Sequence, residues 1–205
     1  MILAYFLTFD PFQFHKLITV WPLTVFNMDN ITHALEDQIE KISKTPREDP
    51  ESLDYLVESM AFLYEKDGRY DKALKYYLML KKDHIFDLIN HHNLFENIQN
   101  KVLLIAQFHE PNNPNIPTDW HKWRSSPSIQ LLVNNVDKIS VEEVVKQLKG
   151  HDKYLHVYLD ALFDRDIHIA SAYHHLQLEL YAEYDYSRLS EFLRASNEYP
   201  LEKVL

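Results

Sequence analysis

Gly68-Arg69-Tyr70-Asp71-Lys72-Ala73-Leu74-Lys75-Tyr76-Tyr77 is the stretch whose reading decides the fold. Its glycine is one of only 2 in 205 residues, so its position carries weight. A lone glycine ahead of an amphipathic segment marks a sharp turn or helix C-cap with positive φ, a conformation that other residues adopt at a cost. The residues that follow have helical spacing, and Ala73 is small enough to let a neighbouring helix come close. Turn, helix and small contact residue together form one unit of a helical repeat, with Gly68 and Ala73 in structural roles.

The same spacing continues on both sides. Leu53, Leu56, Val57, Met60, Leu63 and Tyr64 fall at steps of three and four, as do Val141, Val144, Val145 and Leu148. Leu155, Tyr158, Leu159, Leu162 and Phe163 repeat the pattern, and so do Tyr173, Leu176, Leu180, Tyr181 and Tyr184. Each set predicts a helix with one apolar and one wet face. Helix starts are signposted by Asp10-Pro11, Asp49-Pro50 and Ser126-Pro127, because proline at the first helical position has no intrahelical N–H to lose. Ser140-Val141-Glu142-Glu143 reads as a capping box, with Glu143 reaching back to the Ser140 N–H. The expected helices cover roughly 2–9, 11–20, 30–44, 50–66, 70–82, 84–91, 94–108, 128–136, 141–149, 152–163, 167–184, 186–196 and 200 onward. Pairs recur at roughly 30–40 residues, the range of solenoid repeats. The predicted fold class is therefore all-α, an α-solenoid of antiparallel helix pairs.

Composition narrows the function. With 31 acidic and 21 basic residues the net charge is -10, which disfavours nucleic acid and broad adhesion to anionic lipid. The absence of cysteine removes disulfides, thiolate zinc sites and cysteine nucleophiles. Met1 to Leu7 is apolar, but it lacks a basic flank and ends at Asp10-Pro11, unlike a signal peptide. No run approaches the ~20 apolar residues of a membrane span. A soluble, cytoplasmic protein is expected. Both ends are apolar, Ile2-Leu3 and Val204-Leu205, which predicts that residues 1–205 are a single solenoid segment of a longer array.

One stretch breaks the helical pattern. Residues 109–128 hold Pro111, Pro114, Pro117 and Pro127 with Asn112, Asn113 and Asn115, and predict a loop insertion. Trp120-His121-Lys122-Trp123-Arg124 sits within it. Large aromatics beside cations in an exposed loop resemble an interface anchor, so Trp120, Trp123 and Arg124 are the candidate partner contacts. The competing readings are a loop that folds back on the helices and a loop without fixed structure.

Certain motifs are similar to a known family. Tyr70 to Leu78 followed by Phe86-Asp87-Leu88-Ile89-Asn90-His91-His92-Asn93-Leu94-Phe95 resembles a clathrin-heavy-chain repeat, a TPR-like unit. Leu180-Tyr181-Ala182-Glu183-Tyr184-Asp185, Phe192-Leu193-Arg194-Ala195-Ser196 and Tyr199-Pro200-Leu201-Glu202-Lys203 resemble the vacuolar protein sorting-associated protein forty-one family more narrowly. Leu131 to Ser140 and Trp21-Pro22 fit the same family, whereas the proline-rich 109–128 stretch departs from it. The resemblance implies a subunit of the HOPS tethering complex, which bridges late endosomes, vacuoles or lysosomes and carrier vesicles before fusion. It implies other tethering subunits as partners, with self-association a second property. Membrane association would be indirect and peripheral, through the full-length protein, which pairs this solenoid with a β-propeller and a RING. A solenoid of a sister coat or a CORVET-type tether is the alternative.

The residues themselves offer no catalytic centre and no cofactor or metal site. Twelve histidines include the adjacent pairs His91-His92 and His174-His175, but neighbours in sequence point to different sides of a helix. There is no His-Glu-x-x-His motif. A helical metal-dependent hydrolase built on clustered histidines is the distant alternative. Glu142 with Glu143, Asp164 with Asp166, and Glu179 with Glu183 read as solvated helix faces and first-turn acids. No glycine-rich phosphate loop or strained nucleophile turn accompanies them.

Overall fold

The computed structural model describes residues 2–44, 50–110 and 118–195, and their regular structure is helical throughout. The protein is all-α. It forms two compact units, one ending at Leu94 and the other beginning at Phe95.

The first unit contains α1 (Ile2–Phe9), α2 (Pro11–Val20), α3 (Met28–Lys44), α4 (Pro50–Lys66), α5 (Tyr70–Leu80) and α6 (His84–His92). α4 is its centre and packs against α2, α3 and α5. Leu56, Met60, Ala61 and Leu63 of α4 are fully buried, together with Phe14 and Ile18 of α2, Leu35 of α3 and Leu74 of α5. Polar groups at the seams are paired. The buried Ser59 hydroxyl donates to the Tyr55 carbonyl at 2.8 Å and lies 3.1 Å from His15 Nδ1. Tyr64 donates to Glu36 at 3.0 Å, and Tyr77 donates to Glu65 at 2.6 Å.

The turn between α4 and α5 is a Schellman motif. Gly68 has φ +76, its N–H donates to Glu65 O at 3.1 Å, and the Arg69 N–H donates to Tyr64 O at 2.9 Å. These bonds satisfy carbonyls that the end of α4 would otherwise orphan, and they turn the chain so that α5 packs along α4. Ala73, fully buried, lies on the packed side of α5. Two further helices close in the same way without glycine. Lys81 (φ 50) ends α5, with Lys82 N–H donating to Tyr77 O at 3.3 Å. Asn93 (φ 52) ends α6, with Leu94 N–H donating to Ile89 O at 3.0 Å.

The second unit contains α7 (Phe95–Ile98), α8 (Val102–Ala106), α9 (Trp120–Arg124), α10 (Pro127–Asn134), α11 (Val141–Leu148), α12 (Asp152–Arg165), α13 (His174–Tyr184) and α14 (Tyr186–Ala195). α12 is the hub, touching α8, α9, α10, α11 and α13. Every residue from Leu155 to Leu162 is buried, so α12 has no wet face along those two turns. That corrects the expectation of one apolar stripe: neighbours surround this helix, and its polar residues are buried with the rest.

Other expectations shift locally. The helix expected over 94–108 is interrupted by a 3-10 turn at Gln99–Lys101, and the one expected over 167–184 begins as helix only at His174. Asp10 caps α2 by accepting from the Gln13 N–H at 3.1 Å. Ser140 caps α11 by accepting from the Glu143 N–H at 3.2 Å, but the Glu143 carboxylate takes Gln147 at 2.8 Å instead of reaching back. Ser126 does not cap α10 with its side chain, which lies 3.2 Å from the Ser128 hydroxyl. Asp49, and the helix expected from residue 200, lie outside the described residues.

A β-carbon at Gly68 would meet open space, so substitution there strains only the backbone. Gly68→Ala should lower unfolding stability by about 1–2 kcal/mol in urea titrations, the left-handed cost of an ordinary residue. An unchanged midpoint would refute the role assigned to this turn.

Candidate functional site

The Trp120–Arg124 stretch is helical where a loop was expected. Asp119 caps α9 by accepting from the Lys122 N–H at 3.0 Å. Residues 111–117 of the expected insertion lie outside the described residues. α9 lies against α12, and two of the three expected contact residues are consumed by that docking. Trp123 is 2% exposed and Arg124 8%, while Trp120 is half-buried. The reason is packing. The Trp120 and Trp123 rings stack at 6.0 Å, Tyr154 meets Trp123 edge-on at 5.6 Å, and Lys153 Nζ sits 5.1 Å above the Trp123 ring. Of the expected anchor, Trp120 is the residue with surface still available.

Arg124 reaches a carboxylate that sequence reasoning did not single out. Asp160, at the middle of α12, is 1% exposed. Its Oδ2 accepts from Arg124 Nη1 at 2.5 Å. Its Oδ1 accepts from the Tyr181 hydroxyl at 2.6 Å and lies 3.2 Å from both Nε and Nη2 of Arg188. One helical turn on, Asp164 takes Arg124 Nε at 2.9 Å and also Arg188 Nη2. Gln177 Nε2 donates to the Tyr181 hydroxyl at 2.9 Å and to the Leu159 carbonyl at 3.2 Å. These guanidiniums and carboxylates join α9, α12 and α14, the Tyr181 hydroxyl brings in α13, and Glu191 takes Arg188 Nη1 at 2.6 Å. Burial, followed by the charge of Asp160, raises the Tyr181 phenol far above its ordinary range, so it remains a hydrogen-bond donor.

His156, one turn before Asp160, is 1% exposed, and neither ring nitrogen has a hydrogen-bond partner among the described residues. Aromatic rings surround it: Trp120 edge-on at 4.8 Å, Tyr181 edge-on at 5.5 Å and Tyr184 stacked at 5.6 Å. Desolvation lowers its pKa, against the pull of Asp160 and Asp185. The sequence held a signal for this row. His156, Asp160 and Asp164 are spaced by four along one helix face, and Asp160 interrupts an otherwise apolar run.

The arrangement ties helices together. Asp160 is enclosed and engaged by both arginines and a tyrosine. Among the described residues no group of three His, Asp or Glu is placed to hold a metal ion. The histidine pairs are spread out: His92 stacks on Tyr70 at 3.6 Å, His174 Nε2 lies 2.9 Å from the Ile167 carbonyl, and His175 pairs with Glu179 at 3.3 Å. No helix among the described residues is long and apolar enough to cross a membrane.

The environment of His156 predicts a pH dependence. The unfolded chain binds a proton near the ordinary value of about 6.5, whereas the folded chain refuses it until a lower pH. The contribution of His156 is therefore fully present above that value and is lost as pH falls through the depressed folded pKa. Stability measured from pH 7.5 down to 5 should fall less steeply in His156→Phe than in the parent. Parallel curves would refute a neutral, buried His156.

The family model described as the Vps41 TPR-like region matches residues 1–205. The chain is 38% identical over 205 residues to the Vacuolar protein sorting-associated protein 41 homologs of Danio rerio and Homo sapiens, covering 100% of this chain and 21% of each relative. It is 30% identical over 223 aligned residues to Vacuolar protein sorting-associated protein 41 of Saccharomyces cerevisiae, covering 100% of this chain and 22% of that protein. The chain therefore spans about a fifth of the length of these relatives. No solved structure matches it significantly. With helices throughout its described residues and a match along its whole length, the chain belongs to the Vps41 TPR-like family.

Proposed function

We propose that the chain is a non-catalytic scaffold, a single α-solenoid segment of a longer HOPS-type tethering subunit. It acts in vacuolar protein sorting, where late endosomes and vesicles meet the vacuole or lysosome, and it works by contact with other tethering subunits. Attachment to those membranes is peripheral and comes through the rest of the protein and the complex.

The observation that carries this reading is the whole-length match to the Vps41 TPR-like region, since those relatives are named for vacuolar protein sorting. The physical chemistry agrees with it. The buried charges are spent in tying helices together, which favours a stiff body that presents surface. Repeated helix pairs suit that task because each buries one face on its neighbours and leaves another free.

Purified chain immobilised on a surface should retain tethering subunits shared by HOPS and CORVET or specific to HOPS, and should not retain the subunits specific to CORVET. Retention of none of them, or of the CORVET-specific ones alone, would contradict the proposal.

A further inference from the structure

The partly exposed Trp120 forms a corner with a residue from a distant part of the chain. Its ring lies 5.8 Å from that of Tyr184 at 71°, so the two rings stand as adjacent walls. His156 lies at the base, at 89° to Trp120 and within 26° of parallel to Tyr184. Both wall residues are half-buried, whereas the basal imidazole is buried and has no hydrogen-bond partner among the described residues.

Carboxylates flank the corner. Asp152 is four residues before His156 and so lies on the same face of α12. Asp185 directly follows Tyr184 at the end of α13 and acts electrostatically on His156. Burial, then the hydrogen bond and charge of Glu183, and last the charge of Asp152 raise the Tyr184 phenol pKa. Asp152 is exposed, and Asp185 Oδ1 accepts from the Ser187 hydroxyl at 2.5 Å, which leaves its second oxygen for a ligand. Arg124 and Arg188 are held by Asp160 and Asp164, and Lys153 by Glu110 at 3.0 Å.

We propose that Trp120 and Tyr184, flanked by Asp152 and Asp185, form a docking corner for an arginine side chain on a basic segment of a partner protein. A guanidinium is planar, stacks on aromatic faces and pairs in a fork with carboxylates, whereas an ammonium does only part of this. Aromatic walls at the end of a rigid helix cluster are also the kind of surface on which binding energy concentrates. This goes beyond the scaffold reading, because it assigns one surface and one ligand chemistry.

The test uses a short glycine peptide carrying two arginines, with lysine and citrulline versions as controls, titrated into isotopically labelled protein and followed by NMR. The arginine peptide should shift the Trp120 indole N–H and the amides of Asp152, Tyr184 and Asp185. It should bind several-fold more tightly than the lysine peptide, and the citrulline peptide should not bind. Trp120→Leu should weaken arginine binding about tenfold. Asp152→Asn, which leaves the packed core untouched, should weaken it several-fold with an otherwise unchanged spectrum. Equal binding of lysine and arginine, shifts spread over the acidic surface, or binding unaffected by Asp152→Asn would overturn the proposal. Failure here would leave subunit capture by the immobilised chain intact, so the two readings are separable.

Discussion

The second unit is organised around one buried carboxylate. Asp160 sits in the stretch of α12 that has no solvent face, and an isolated charge there would be costly to bury. Arg124 from α9, Arg188 from α14 and Tyr181 from α13 all converge on it. Each comes from a separate element, so satisfying one side chain fixes where three helices lie against a fourth. Apolar contact supplies much of the stabilisation around it, through Leu178, Tyr181 and Phe192 with Phe163, Leu189 and Leu193. The ion cluster adds register, because a guanidinium and a carboxylate meet well in few geometries.

The first unit solves the same problem with other chemistry. Its hub helix, α4, is largely apolar at the centre, and its polar seams are short tyrosine-to-glutamate and serine-to-histidine contacts. Its geometry is set at helix ends, where three left-handed residues close α4, α5 and α6. An apolar groove of about 560 Å³ beside α1 and α2, lined by Ile2, Leu7, Phe14 and Trp21, is also part of this unit. The two units thus illustrate two ways of stacking helices, one governed by turn geometry and one by buried charge.

Much of this was legible in the sequence because it is local. Gly68 announced its own turn, Asp10 and Ser140 announced caps, and the three-and-four spacing located most helices. The left-handed Lys81 carried no such signal, since lysine has no preference for that conformation, and Asn93 carried only a weak one. α9 was obscured by the prolines before it, although Asp119 ahead of Trp120 is a cap in the usual form. The ion cluster was hidden for a different reason. Arg124, Asp160, Tyr181 and Arg188 are distant in sequence, and spacing along one helix cannot say that its polar face will be covered by others. Of the three residues expected to contact a partner, Trp123 and Arg124 turn inward, and Trp120 remains partly at the surface.

In the second unit of this Vps41-type TPR-like segment, the shape of the helix packing rests on charges paired inside it. Arg124 and Asp160 act as one unit in setting that shape. A double-mutant cycle with Arg124→Met and Asp160→Leu, followed by urea unfolding, tests it most directly. Each single change should cost about 3–5 kcal/mol, because it strands a buried charge, and the double variant should recover a large part of that loss. Costs that simply add, within about 0.5 kcal/mol, would contradict it.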